Sequence, residues 1–337
     1  MASRRSGCGI PGLLLLILLV VGGWSGYWFY LSSQIRTGLE QTETRLEAAG
    51  WRIEHGEPRI DGWPFRIQVV LDDVEILAPS GHGLRAPELR TEATAYQLDR
   101  WVIVASEGFE LGRAAKGWVA VQGQALRASV SELAGTPPRI IIEFDQPRFT
   151  PTDGSEPFPI TQAERLIINL LPEAEGRAGI LFDLDGATPR PGGVLADMSE
   201  QRVFDLSAEG VADRAGQLSG ASWSEALAAW SADGGALTQV RLEATAEQDF
   251  ARGQSDRLSA GPDGRLIGDL QVHLRGGTAP IAGLAQAPGV DPRAAAAVAV
   301  GAQLTSGYRG ETNVLLRFSN GRTIVGPLSL GPAPKVF

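Results

Sequence analysis

Residues 61–76 read "DGWPFRIQVVLDDVEI". Phe65, Ile67, Val69 and Leu71 recur at every second position, with Arg66, Gln68 and Asp72 on the opposite side. Period two marks a strand with one face buried, because successive side chains point to opposite sides. The phase slips at Asp72-Asp73, which leaves Val74 and Ile76 apolar on the wrong face. A bulge or tight bend there restores the alternation. Pro64 lacks an N–H and suits a strand start or an edge. The segment is a bent strand that calls for no catalytic group, and it predicts a mainly β fold.

Similar segments follow. "APELRTEATAYQL" places Leu89, Thr91, Ala93 and Ala95 on one side, and "WVIVASEGFEL", "GWVAVQGQALRASV", "PRIIIEFDQPRF" and "GILFDLDG" are β-branched or aromatic runs ended by Gly, Pro or Asp. Their frequent turn signals predict a large curved, mostly antiparallel sheet with a few short helices, an α+β arrangement dominated by β. "TPTDGSEPFPI", residues 150–160, reads as a polar loop; "TQAERLIINLLPE" fits a helix or a strand, and a short helix is the expectation. "SWSEALAAWSADGG" is a clearer helix, with Ser222 as N-cap, Glu225 three residues on, Trp223, Leu227 and Trp230 on one face, and Gly234-Gly235 as the stop. "DPRAAAAVAVGAQL" predicts another helix, capped by Asp291 with Pro292 at its first position. "DGRLIGDLQV" and "NGRTIVGPLSL" share an Asp/Asn-Gly-Arg start, and both predict a hairpin with a type I′ turn.

The amino terminus has a different character. No charged residue occurs from Ser6 to Ile35. The stretch Ile10–Tyr30, at 1.5 Å per residue, measures roughly 31 Å, about the thickness of a bilayer's hydrocarbon. Arg4 and Arg5 precede it and place the amino end in the cytoplasm; Trp24, Tyr27, Trp28, Phe29 and Tyr30 suit an aromatic belt at the far interface. The competing reading is a cleaved secretory signal, but the apolar run passes into bulky aromatics with no small-residue cleavage site close behind. Both readings export residues 36–337. "SSQIRTGLEQTETRLEAAGW" then spaces Ile35, Leu39, Leu46 and Ala49 at helical intervals, and Gly50 suits its end.

The expected organisation is therefore a short cytoplasmic segment 1–9, a transmembrane anchor 10–30, an amphipathic linker helix 31–50 and a periplasmic β-rich domain 51–337. The address is the bacterial inner membrane. Among 337 residues, 42 are Gly, about 12% against a usual 7%, consistent with many turns and closely approaching strands. The net charge of −9 argues against a nucleic-acid partner, which favours a basic face. Cys8, the single cysteine, has no internal partner and lies beside the anchor.

Motifs for chemistry are missing. His55 with Glu57 resembles half a metal site, yet no His-Glu-x-x-His or cysteine pair accompanies it; His82 is isolated, and His273 in "LQVHLRG" alternates onto the polar side. No Gly-x-Ser-x-Gly, Ser-x-x-Lys or phosphate loop occurs. Asp72 and Asp73 are adjacent on a strand and diverge, so they make a poor acid–base pair. A non-enzymatic protein without cofactor or metal is the expectation.

"SGYWFY", "GWPFRIQVVLDDV", "WSEALAAW" with its following "GG", "DGRLIGDLQVHL" and "GRTIVGPLSLGPAP" together resemble an uncharacterised family of proteobacterial envelope proteins, domain of unknown function 2125. The resemblance covers nearly all of the exported chain, through motifs that mark turns and strand starts. More loosely, the Gly-x-Pro-Phe strand and the Gly-x-Leu-x-Leu hairpins are similar to AsmA-like proteins. That likeness implies a membrane-anchored curved sheet lined by apolar residues and a role in lipid handling.

Two functions follow as expectations. In the first, an incompletely closed sheet shelters phospholipid or other envelope lipid, with Phe65, Ile67, Val69 and Leu71 as candidate groove residues. The same alternation equally describes an ordinary core under helices, and both readings stand at this level. In the second, the exported domain is a scaffold or assembly factor for envelope proteins that offers an open sheet edge to a partner strand.

Overall fold

The structure, a computed structural model, describes residues 9–218, 223–247, 249–275 and 311–337. The predicted helix in "DPRAAAAVAVGAQL" and the Ser222 cap lie outside the described residues.

The chain begins with helix α1, Gly9–Ala48. The expected anchor and linker helix are one uninterrupted element, about 60 Å long. Strands β1 (Arg52–Glu54) and β2 (Arg59–Asp61) both pair with β3 (Arg66–Leu77), which pairs along its length with β4 (Gly83–Thr94). Next come β5 (Gln97–Val104), β6 (Phe109–Arg113), β7 (Gly117–Gln122), β8 (Ala125–Ser131), β9 (Arg139–Asp145), β10 (Arg148–Pro151), β11 (Ile160–Gln162), β12 (Arg165–Pro172) and β13 (Ala178–Pro189). After helix α2 (Val194–Met198) and strand β14 (Phe204–Ala212) comes helix α3 (Trp223–Ala232). Strands β15 (Leu237–Ala246), β16 (Asp249–Ala260), β17 (Leu266–Arg275), β18 (Glu311–Ser319), β19 (Arg322–Val325) and β20 (Leu328–Pro332) complete the described fold. All pairings are antiparallel and join one sheet, as the recurrent turn signals predict.

The sheet divides and rejoins. β4 pairs with β5 through Arg90–Thr94 and with β6 through Gly83–Arg85. One arm continues β5–β8–β9–β12 and the other β6–β7–β10–β11. Both arms meet again on β13, and from there β13 to β20 pair in simple sequence. Leu126 and Leu166 of the first arm pack with Val119, Val121, Phe149 and Ile160 of the second. Fully burying side chains of this kind contributes about 1.5–3 kcal/mol each.

Helix α1 is latched along the β3–β4 hairpin. Trp24 Nε1 donates to the Pro64 carbonyl at 2.7 Å, and Trp28 Nε1 to that of Arg66 at 2.8 Å. Higher up, Arg36 reaches the Pro58 carbonyl at 3.3 Å and Glu43 meets His55 at 2.7 Å; Gly50 lies against the Pro79 ring. From Trp24 to Gly50 the chain rises about 39 Å, close to the roughly 40 Å of a 12-residue strand such as β3. The remaining part of α1, with Leu13–Val21 exposed, projects past the sheet.

Three expectations are corrected. Residues 165–172 form strand β12 instead of a helix, because Leu166, Ile168 and Leu170 alternate onto one face and both neighbours, β9 and β13, supply pairing partners. At Asp72-Asp73 no residue is inserted against β4: Asp72 pairs with Glu88 and Val74 with Ala86. Val74 therefore stays on the Asp72 side of the strand, and Asp73, at φ 51, falls opposite Pro87, which has no N–H to offer. Of the two predicted type I′ turns, Asn320-Gly321 has the required positive φ values, 51 and 70. The Asp263-Gly264 turn is longer, with Gly264 bonding to Val336 and the Asp263 carboxylate accepting from the Arg265 N–H.

Candidate functional site

The four sequence-selected residues do not share one environment. Phe65 lies in the turn before β3 and is exposed. Ile67 is fully buried, in a cluster with Trp28, Leu31 and Ala95, flanked by Trp24, Ile35 and Trp101. Val69 is buried and Leu71 half-buried. Helix α1 therefore covers the sheet face at Ile67, and beyond it that face becomes more open.

The pairing register carries this face across the molecule. Residues directly opposite one another in an antiparallel pair point to the same side. Val69 faces Thr91, Thr91 faces Ile103, Ile103 faces Ala128 and Ala128 faces Ile142. The row goes on through Ile168 and Phe182 to Ala208, then Leu242, Gly253, Val272 and Val314. Twelve strands about 4.8 Å apart give a row roughly 50 Å long. One leaflet of a roughly 30 Å hydrocarbon layer corresponds to an acyl chain of about 15 Å, so the row is several acyl chains long.

Exposure varies systematically around this row. On one flank Leu126, Leu166 and Leu184 are buried against the second arm. On the other, Leu170 and Ile180 pack against Ala178, Ala212, Leu227 and Trp230. α3 supplies Leu227 and Trp230, as its predicted apolar face requires, and Trp230 Nε1 donates to the Asp213 carbonyl at 2.6 Å. Ile103, Ala128, Ile142, Ile168, Phe182 and Ala208 between the flanks are half-buried. An apolar floor between two packed margins can take up hydrocarbon, since burying its exposed part is favourable at about 25 cal/mol per Å².

The opposite face of β14–β18 has another character. A trough of about 700 Å³ is lined by Glu209, Arg241, Gln254, Gln271, His273 and Asn313. Its polar groups satisfy one another: Arg241 pairs with Glu209 at 3.0 Å, Arg252 with Glu243 at 2.8 Å, and His273 Nδ1 lies 2.7 Å from Asn313 Oδ1. Exposed pairs of this kind contribute roughly 0–1 kcal/mol each.

His55 and Glu57 do not converge on a metal site. His55 Nε2 meets Glu43, and Nδ1 meets the Gly56 carbonyl at 2.6 Å, so both ring nitrogens face acceptors. Burial opposes the charged ring, but the Gly56 carbonyl and Glu43 carboxylate outweigh it and hold His55 above its ordinary value. Among the described residues no group of three or more His, Cys, Asp or Glu could hold a metal ion.

A family model described as an uncharacterised protein conserved in bacteria, DUF2125, matches residues 28–334. The chain belongs to this family. No curated protein and no solved structure matches the chain. The DUF2125 match takes in Trp28 and the latched part of α1, the whole apolar row and the polar trough. It leaves out the exposed apolar run Leu13–Val21. Sequence reading missed the row's members from Ile103 onward. Their alternation was visible strand by strand, but the register that aligns them was not.

Proposed function

We propose that this DUF2125 member is a single-pass protein of the bacterial inner membrane, with its amino end cytoplasmic and its β domain in the periplasm. It works without catalysis or cofactor, binding or guiding lipid acyl chains along the apolar face of its sheet in envelope lipid homeostasis, as the looser AsmA-like resemblance implies. The half-buried row that begins beside Ile67, under α1, carries this reading. A mostly apolar floor, interrupted by Thr91 and lying between two packed margins, is costly to leave in water and is suited to an apolar chain. α1 supports the location, as the one described helix long and apolar enough to cross a membrane.

Photo-crosslinking in cells tests the proposal. A benzophenone amino acid replaces Phe182 or Leu242 on the apolar row, and Arg241 or Gln271 on the opposite face. Phospholipid adducts at 182 and 242, with none at 241 and 271, are expected. Equal labelling of both faces, or none on the row, overturns the proposal. Adducts to protein in place of lipid on the row favour the scaffold function instead.

A further inference from the structure

We infer that the folded domain touches the bilayer a second time, through an aromatic foot made of the turns at residues 62–65 and 95–96. This inference rests on reading α1 as a membrane span. Trp63, Phe65 and Tyr96 are 52%, 66% and 70% exposed, large aromatics at the tips of turns where a water-facing surface has no use for them. The two turns are joined, since the Ala95 N–H donates to the Phe65 carbonyl at 2.9 Å. Leu133 follows at the same end of the sheet, placed there by the pairing of Arg100 with Ser131, and is exposed as well.

The helix fixes the height of the foot. Trp24 and Trp28 hold the Pro64 and Arg66 carbonyls, so the turns lie level with the first residues after the exposed apolar run Leu13–Val21. From Gly9 to Gly23 α1 measures about 22 Å, most of the thickness of a bilayer's hydrocarbon. The outer boundary then falls near Trp24, below the Tyr30 end of the apolar stretch. Tyr27, Phe29 and Tyr30, all exposed on α1, join the foot in the headgroup zone, where amphipathic aromatic rings are favoured. The exposed charges beside the turns, Asp61 and Asp99 against Arg66 and Arg100, balance, so the aromatic contribution decides the contact. The consequence is orientation: the domain stands on the outer leaflet with its β3–β5 end down, and is not free to swing on a stalk.

The test uses the full chain in liposomes of phosphatidylethanolamine and phosphatidylglycerol, with and without brominated acyl chains. Single cysteines are placed in a Cys8→Ser background and labelled with an environment-sensitive fluorophore. Phe65→Cys and Tyr96→Cys probe the foot, Ile17→Cys the span, and His82→Cys the exposed far end of the β3–β4 hairpin. Blue-shifted emission, quenched by bromine at 17, 65 and 96 and unquenched at 82, is expected. Quenching at 17 without quenching at 65 and 96 overturns the foot and leaves the anchor standing. No quenching at 17 removes the anchor reading, and the foot with it. Circular dichroism of each labelled chain checks folding, and Tyr96→Cys decides alone if the Phe65→Cys chain misfolds.

Discussion

At Gly62 the backbone has φ +104, and a Cβ would stand 2.8 Å from the Arg66 carbonyl oxygen. This glycine closes the turn whose carbonyls receive the Trp24 and Trp28 indoles, so the local conformation and the docking of α1 depend on each other. Gly62→Ala is expected to lower stability by about 1–3 kcal/mol, the usual cost of such a backbone conformation in a residue with a side chain. Urea denaturation followed by circular dichroism checks it; an unchanged midpoint sinks the account. In sequence, Trp24 and Trp28 read as part of an aromatic belt at the far membrane interface and not as partners of this turn. The hydrogen bonds across about 40 positions were not legible, because nothing local in Trp24 names its acceptor.

At the scale of elements, α1 and the β1–β2 connection are held by His55 between Glu43 and Gly56. The folded state binds the imidazolium better than the unfolded chain does, so the folded value lies above the ordinary one near 6.5. A raised value contributes stability that is fully present below the unfolded value and is lost as pH rises through the folded one. The upper part of α1 is therefore expected to loosen as pH climbs from about 6.5 past the folded value. Amide exchange of residues 43–55 against pH reads this, and Glu43→Gln should flatten the dependence. A profile unchanged by Glu43→Gln would falsify the latch. Strand β12 carries a lesson at the same scale. "RLIINLLP" is compatible with a helix or a buried strand, and only β9 and β13 on its two sides resolved the choice.

At the scale of the molecule, burial separates two classes of position on one sheet face. Ile67 is sealed beneath Trp28 and Leu31, whereas Leu242 is half-buried on the open row. Ile67→Glu places a carboxylate in a dry cluster and is expected to cost several kcal/mol, enough to unfold a domain of ordinary stability. Leu242→Glu is expected to cost on the order of 1 kcal/mol and leave the fold intact, while abolishing lipid adducts at Phe182 and its neighbours. Thermal denaturation of both variants decides the matter: equal loss of stability identifies the row as plain core.

Local sequence was enough for the apolar amino-terminal stretch, the predominance of antiparallel strands, the apolar face of α3 with Leu227 and Trp230, and the Asn320-Gly321 turn. Each rests on spacing, composition or backbone preference within a few residues, where the physics is local. Tertiary structure alone decided that α1 is one helix laid along a hairpin, that the sheet splits at β4 and rejoins at β13, and that Val69 is continuous with Val314 in one row. Those features depend on which strand pairs with which and in what register. A one-residue slip in any pair turns its side chains to the other face, and the alternation within each strand is indifferent to that choice.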